Sequence, residues 1–408
     1  MSKEDYKDVL GEWQGHHFGS VERICADDGS MELWIELIPD RGTPMICSEC
    51  GRSGEKVHDA VERWVQDLPV FEMVTRLLVH RRRVACAHCG PKLEALSWLA
   101  PYARVTQRLA RSVAELCSVM SLRHVAQHYG LHWDTVKTIH KRTLERQFAK
   151  VPLPEVETIV MDEFALHKGR RYATVIMDPT RKQVLWVGRG NGRESICPFF
   201  EALGDEGRRR LKAVAMDMSP AFEREVRFQC PHARIVFDLF HVVAKYGKEV
   251  IRRVRVDEAK RLDKSNPMRK VIRSANWLLL RKRKNISSRQ DRITLKEILR
   301  ANRRLSVLYL LSEELKHLWD YKYEKAAKRS WEQWYSRAIR SRIEPLKRFA
   351  RRMKQRVDGI LAHSKWPLHT SLLEGVNNKI KVIKRRAYGF RDDDDFFLRI
   401  RAAFPGNP

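Results

Sequence analysis

Apolar and polar positions alternate along the first part of the chain and then change period. Glu32-Leu-Trp-Ile-Glu-Leu-Ile38 has the every-second-residue rhythm of a half-buried strand, and the region from about 30 to 100 reads as strand-rich. From about 103 to 150 the pattern is helical. Val151-Pro-Leu-Pro154 cannot continue a helix and marks a linker. Beyond 156 short apolar runs alternate with helical stretches. Thr158-Ile-Val-Met-Asp162, Ala213-Val-Ala-Met-Asp217 and Ala233-Arg-Ile-Val-Phe-Asp238 each end in an acid. Tyr172–Asp178 and Gln183–Val187 flank Pro179-Thr-Arg-Lys182, which has hairpin chemistry. Residues from about 240 to 362 read as helical and basic, and His369–Lys381 is a further helix, placed as the last of the fold. An acidic run, Asp392–Asp395, opens the tail.

Charge narrows the partner. Lys and Arg number 79 against 51 Asp and Glu, a formal net charge of +28. Such self-repulsion calls for a polyanion, and nucleic acid leads, because neutralising phosphates releases counterions. An anionic membrane surface is the competing partner. No apolar run approaches the roughly 20 residues of a membrane span, and the polar, partly acidic start of the chain is no signal peptide. The expected location is cytoplasmic and nucleoid-associated, with no membrane partner. In that reducing setting the eight cysteines are expected as thiols or metal ligands.

Four of them form two C-x-x-C knuckles, Cys47-Ser-Glu-Cys50 and Cys86-Ala-His-Cys89, with residues 51 to 85 between them. Each knuckle lets two thiolates reach one ion, and two knuckles complete a closed tetrahedral zinc site of structural role. Gly51 and Gly90 follow the second cysteine of each pair, where a tight turn is needed. His88 is a poorer ligand candidate, and buried unligated thiols are the alternative. Neither pair opens a helix after a strand, which argues against a redox motif.

Leu122–His140 fits a helix-turn-helix, with small Ala126 at the helix crossing, Gly130 at the turn, and Val136 and Ile139 on the buried face of the second helix. Thr135, Lys137, Thr138 and Lys141 are then free to meet DNA bases and phosphates. An ordinary helical hairpin is the plainer alternative.

Asp162, Asp217 and Glu374 carry the chemistry. Three antiparallel strands followed by alternating helix and strand is the order of an RNase H-like core. On such a sheet Asp162 closes the first strand, Asp217 closes the fourth, and Glu374 starts the last helix beside them. Phosphoryl transfer between DNA strands uses two divalent ions about 3.5–4 Å apart, and Mg²⁺ (or Mn²⁺) is satisfied by a few carboxylates plus water and phosphate oxygens. Glu374, Asn378 and Lys381 share one helix face, where Lys381 can hold a phosphate; Asn377 is a weaker neighbour. Each acid has a rival reading. Glu374 follows Ser371 by three, the spacing of a capping box. Glu163 adjoins Asp162, Asp178 belongs to a hairpin turn, and Asp238 is an outside candidate as a ligand.

With these residues in place, the chain resembles the insertion-sequence transposases of the ISL-three family, bacterial DDE enzymes. Met161-Asp-Glu-Phe164, Asp217-Met-Ser-Pro-Ala-Phe222 and Glu374-Gly-Val-Asn-Asn-Lys-Ile-Lys381 look like that family's three catalytic segments. Asp238-Leu-Phe-His241 is similar to a signature shared with Mutator-like and hAT transposases, with Asp238 and His241 as its marked residues. Glu-x₆-Lys also resembles a motif of other cut-and-paste enzymes, whose preceding Tyr and Arg are here Pro367 and Thr370.

The resemblance implies an α/β RNase H-like catalytic core with a long all-α insertion, preceded by a small zinc-binding domain and a helix-turn-helix domain. The expected boundaries are 1–100 for the zinc-binding domain and 101–150 for the helix-turn-helix. The core follows at 155–256, the insertion at 257–362, and the returning helix and tail at 363–408. The insertion's Trp277, Trp319, Trp331 and Trp334 include candidates for stacking on a flipped base, although most are expected in its core. Arg281-Lys-Arg-Lys284 is a candidate track for DNA backbone, or merely a solvated face.

The expected activity is binding of terminal inverted repeats, metal-dependent strand cleavage and strand transfer. Its partners are double-stranded transposon ends and target DNA, with a homodimer or larger assembly on DNA. The rivals are a transposase-derived repressor without cleavage and an RNase H-like structure-specific nuclease.

Overall fold

The computed structural model describes residues 10–148, 153–167, 169, 171–368 and 371–407, apart from the side chains of Lys284 and Ser371. The Val151-Pro152 part of the expected linker, His369 and Thr370, the Lys284 side chain and the Ser371 cap therefore lie outside the described residues. Contacts divide the chain into two compact units. One takes the described residues up to 148 together with Lys384–Leu398, the other residues 153–383 and Arg399 onward.

In the first unit, strands β1 (His16–Cys25), β2 (Met31–Pro39), β5 (Val57–Val70) and β6 (Met73–Cys86) form a sheet in the order β1-β2-β6-β5, with β7 (Gly90–Leu93) also on β6. Alternation decides the faces. Leu33, Ile35 and Leu37 of β2 and Leu77 and Val79 of β6 turn inward onto Trp13, Phe18 and Leu99. Their polar neighbours pair across the other face, Arg76 with Glu32 at 3.0 Å and His80 with Glu36 at 3.2 Å. The short hairpin β3 (Met45–Ile46) and β4 (Ser53–Gly54) carries the first cysteine knuckle.

Three helices follow: α1 (Gln107–Val119), α2 (Leu122–Tyr129) and α3 (Trp133–Phe148). Thr106 and Ser121 cap the first two by accepting backbone N–H groups of Leu109 and His124. Gly130 ends α2 at φ 61°, the left-handed conformation the turn requires, and Val113, Val125, Ala126 and Val136 close a small core. A buried ionic knot ties helices to sheet. Asp67 accepts from Trp13 Nε1 at 3.2 Å, Thr106 Oγ1 at 2.5 Å and Arg108 Nε at 2.8 Å.

The second unit is built on β8 (Thr158–Ala165), β9 (Tyr172–Asp178), β10 (Gln183–Arg189), β11 (Ala213–Met216) and β12 (Arg234–Phe237), in the order β10-β9-β8-β11-β12. The first three are antiparallel, and β8, β11 and β12 run parallel. This is the expected RNase H-like order. Helices α4 (Cys197–Arg210), α5 (Pro220–Gln229) and α6 (Leu239–Tyr246) supply the connections and cover. A π turn at Gly247–Ile251 leads from α6 into α7 (Arg252–Arg261). The all-α stretch continues through α8 (Pro267–Ser274), α9 (Asn276–Leu280), α10 (Arg289–Ala301), α11 (Arg303–His317), α12 (Glu324–Arg340), α13 (Glu344–Lys354) and α14 (Val357–Leu361). One apolar cluster runs without a break from Val156 and Phe199 of the sheet layer to Trp334 and Phe349 of the helices. The insertion is thereby cemented to the core rather than tethered to it.

Two placements differ from expectation. Asp162 lies inside β8, three residues before its end, because Phe164 continues the ladder opposite Ala173. The helix of Glu374, α15 (Ser371–Arg386), is not the last, since the acidic run opens α16 (Asp393–Ala403). Three aspartates in a first helical turn face the positive end of its dipole, so a run that looked like a charged tail is a helix start.

Candidate active site and metal centre

The acids come from the interior of β8, from the residues just past β11 and β12, and from the first turn of α15. Asp162 Oδ1 accepts the Glu163 N–H at 2.8 Å and its Oδ2 the Asn377 amide at 2.9 Å. Asp217 is the first residue past β11, and its Oδ1 accepts the Ser219 N–H at 3.0 Å, turning the chain into α5. Asp238 follows β12 directly and is buried at the start of α6, with His241 one turn on, 4.0 Å from its carboxylate. Glu374 occupies the first turn of α15 and is exposed.

A cavity of about 580 Å³ receives most of these groups. Asp162, Glu163, Asp238, His241, Glu374 and Asn377 line it, with Asn378 and Lys381 further along α15. Asp217 is not on its wall, yet its charge acts on both Asp162 and Glu163. Burial pushes the Asp162 carboxyl above its ordinary range; the Glu163 N–H, the His241 ring and Asn377 oppose this, and Asp217 adds to it. Burial raises Glu163 likewise, against its bond from Asn191 Nδ2 at 3.1 Å.

Clustered, half-buried carboxylates are an unstable arrangement that a dication relieves. The donor set fits such an ion: carboxylate oxygens plus Asn377 Oδ1, a buried acceptor with no hydrogen-bond partner among the described residues. The acids are nevertheless not drawn onto one point. Among the described residues, the cysteines are the group of three or more ligand atoms lying within 4.8 Å of one another.

That group is Cys47, Cys50, Cys86 and Cys89, as the two knuckles require. Cys50 and Cys86 sulfurs are 3.6 Å apart, near the roughly 3.8 Å edge of a tetrahedron with 2.3 Å Zn–S bonds. Backbone N–H groups of Cys89 and His88 draw the Cys86 thiol down to about 6, while Cys50 beside it pushes Cys89 up to about 12. Four sulfurs this close repel as thiolates until a cation joins them. With Met45, Val84 and a closed coordination sphere around it, the centre suits structural zinc.

On α3, Val136 is buried as expected and Thr138 is exposed, with Thr135 half-buried. Lys137 and Lys141, expected to be free for DNA, are not. Lys141 Nζ sits 2.8 Å from Asp392 Oδ2 and Lys137 Nζ 4.0 Å from the same oxygen.

The insertion sorts its tryptophans. Trp334 is 1% exposed and donates to Leu311 O at 2.8 Å; Trp331 stacks on it at 5.1 Å, and Trp319 is buried too. Base stacking by these three is excluded by their packing in the core. Trp277, 72% exposed, keeps the possibility. Arg281 and Arg283 are exposed and Lys282 reaches the carboxylate cavity.

Glu163, noted in the sequence only as the neighbour of Asp162, is on that wall, and sequence reasoning overlooked Phe240 and Lys316 there. Lys316 left a trace: it continues the buried stripe Leu308, Leu311, Ser312 and Leu315, where a lysine is out of place unless its ammonium is held.

Comparison with known proteins agrees with this architecture. Residues 159–400 match a family described as "Transposase", 94–143 the "Helix-turn-helix domain of transposase family ISL3", and 43–89 the "zinc-finger of transposase IS204/IS1001/IS1096/IS1165". A Bordetella parapertussis relative, "Transposase for insertion sequence element IS1001", is 49% identical over 400 residues, covering 98% of this chain and 97% of its own. "Transposase for insertion sequence element IS1557" of Mycobacterium tuberculosis (strain CDC 1551 / Oshkosh) is 27% identical over 375 residues, 85% and 83% of the two chains. With its zinc ribbon, helix-turn-helix and catalytic region all matched in order, the chain belongs to the ISL3 family of insertion-sequence transposases.

Proposed function

We propose that this transposase cuts and rejoins DNA at a site where Asp162, Asp217 and Glu374 hold Mg²⁺ or Mn²⁺. The observation that carries the reading is the shared cavity. Asp162 from the sheet and Glu374 from α15 line it together, and Asn377 of the same helix bonds Asp162. Bound there, a pair of divalent ions would supply Lewis-acid activation of the attacking oxygen and charge stabilisation of the leaving one.

The chain's own residues bind and align. The head, residues 1–150, finds the terminal inverted repeats, using its zinc-stiffened sheet and the Thr135 and Thr138 face of α3. Residues 155–256 and 363–408 form the catalytic core, and 257–362 the insertion that lays cations beside it. Lys381 and Asn378 on α15, with Lys282 of the same cavity, offer donors for phosphate oxygens. Water opens a phosphodiester at the element's end and leaves a 3′-hydroxyl. That hydroxyl then forms a bond to phosphorus in a second strand, whose own 3′-oxygen departs. No protein–DNA bond is needed at any stage. Two ends must be aligned, so a dimer or larger assembly forms on DNA, at the bacterial nucleoid.

No described helix is long and apolar enough to cross a membrane, and the net charge of +28 suits a DNA partner. The test is purified protein with its own element's ends and Mg²⁺, against Asp217→Asn. Wild type is expected to nick and join these ends and the variant to bind without cutting. A repressor would cut in neither case, and a general nuclease would cut unrelated branched DNA equally well.

A further inference from the structure

A second cavity, about 630 Å³, opens in the helical insertion. Lys282 and Lys316 line it and also line the carboxylate cavity, so the two share a wall. From that wall the second cavity extends to Arg283, Arg292 and His317, with Glu313 and Asp320 as its acids. Both acids are engaged: Glu313 with Lys316 at 2.8 Å and Asp320 with His317 at 2.7 Å. Among the described residues, Lys282, Arg283 and Arg292 make no ion pair. Arg283 and Arg292 are exposed and Lys282 half-exposed, and Arg292 Nε donates to Ile286 O at 2.7 Å, so three cations without carboxylate partners face one open hollow that suits an anion.

The wall is built rather than accidental. Lys316 is 4% exposed, and its ammonium donates to Leu280 O at 3.0 Å, anchoring the turn that carries Lys282 and Arg283. Leu280 in turn packs on Gly247 so closely that a Cβ there would lie 2.5 Å from it. Phe240 also lines the carboxylate cavity, and at 70% exposure its ring offers a base a stacking face.

We infer that these adjacent cavities form a seat for an unpaired DNA strand, with the phosphates next to the reacting one held by Lys282, Arg283 and Arg292. Their volumes suit single nucleotides, within the roughly 300–1,000 Å³ of small-ligand sites, whereas a duplex needs a far wider groove. The inference rests on the reacting phosphate being at Asp162 and Glu374. It adds where the strand goes next: into the insertion, with its last ordered phosphates in the second cavity.

Two measurements test it. In His317→Cys, disulfide cross-linking to end DNA carrying a thiol-tethered phosphate is expected for phosphates within about three nucleotides of the cut site, above the wild-type background, and not for those in the terminal repeat. Cross-linking spread evenly over the DNA, or absent near the cut site, overturns the seat. This readout needs no cleavage, so it stands even if the proposed chemistry fails.

The second measurement compares cleavage by wild type, Arg283→Ala and Arg283→Lys on full-length ends and on ends with one strand trimmed back to the cut site, from the flanking side or from the element side. At matched DNA occupancy Arg283→Ala is expected to cut full-length ends about tenfold more slowly, and Arg283→Lys to recover most of the rate. The deficit is expected to vanish on one of the two trimmed substrates, which identifies the side that enters. An equal deficit on all substrates means a structural role and overturns the proposal.

Discussion

Asn377 and Asp162 lie 215 positions apart, yet the Asn377 amide donates to Asp162 Oδ2 at 2.9 Å. The bond leaves Asn377 Oδ1 buried and without a hydrogen-bond partner among the described residues. One side chain thus steadies a half-buried carboxylate and presents a free acceptor beside it. It also fixes the rotation of α15, because Glu374 lies one turn earlier on the same side.

Asn377→Ala is therefore expected to raise the Mg²⁺ concentration for half-maximal end cleavage by about tenfold, in the range seen when partners of metal ligands are removed. End affinity without metal stays at the wild-type value. An unchanged metal dependence would show that this bond is merely structural.

Asp392 holds Lys137 and Lys141, two lysines of the proposed DNA-binding helix α3. Asp392→Asn keeps an acceptor for the Asp395 N–H, which Asp392 Oδ1 now receives at 3.1 Å, so the start of α16 survives. Releasing a partly exposed ion pair is worth about 0.2–1 kcal/mol, so end DNA should bind about 1.4-fold to fivefold more tightly. Two freed lysines also steepen the logarithmic salt dependence by about 1 to 2. Equal affinity and slope in variant and wild type would mean that α3 does not meet DNA through these lysines.

Cys86→Ser removes one of four sulfurs around a shared centre. Structural zinc contributes its binding free energy, about 10–16 kcal/mol in small zinc modules, to folding. Loss of bound zinc, a lower melting temperature and loss of end binding are expected together. Full zinc content in the variant would break the four-sulfur assignment.

The tryptophans separate stability from binding. Trp334→Ala empties a fully buried site and breaks the bond to Leu311 O, an expected loss of about 3–5 kcal/mol in denaturant unfolding. Trp277→Ala, at an exposed position, should change stability by no more than about 0.5 kcal/mol. Comparable losses in both would contradict the burial pattern.

What could be read from the sequence was local. Apolar runs ending in Asp162, Asp217 and Asp238 gave the strand order, the cysteine spacing gave the zinc centre, and Gly130 gave the helix-turn-helix corner. What escaped was set by distant partners. β1 (His16–Cys25) alternates weakly, with mostly exposed or half-exposed residues after Phe18, and becomes a strand through pairing with β2. Asp67, inside β5, owes its buried place to Arg108 and Thr106 arriving from another element. The approach of Asp392 to Lys141 spans 251 positions and leaves no pattern in either segment. Lys316 was visible only as a charge on an apolar stripe.

The most direct measurement is end cleavage by Glu374→Gln, compared with wild type at saturating Mg²⁺ and matched DNA occupancy. Glu374 is exposed and far in sequence from the other acids, so its replacement should leave fold and end binding intact. The account predicts cleavage at least about a hundredfold slower with binding unchanged. Wild-type cleavage by this variant would contradict the three-carboxylate site.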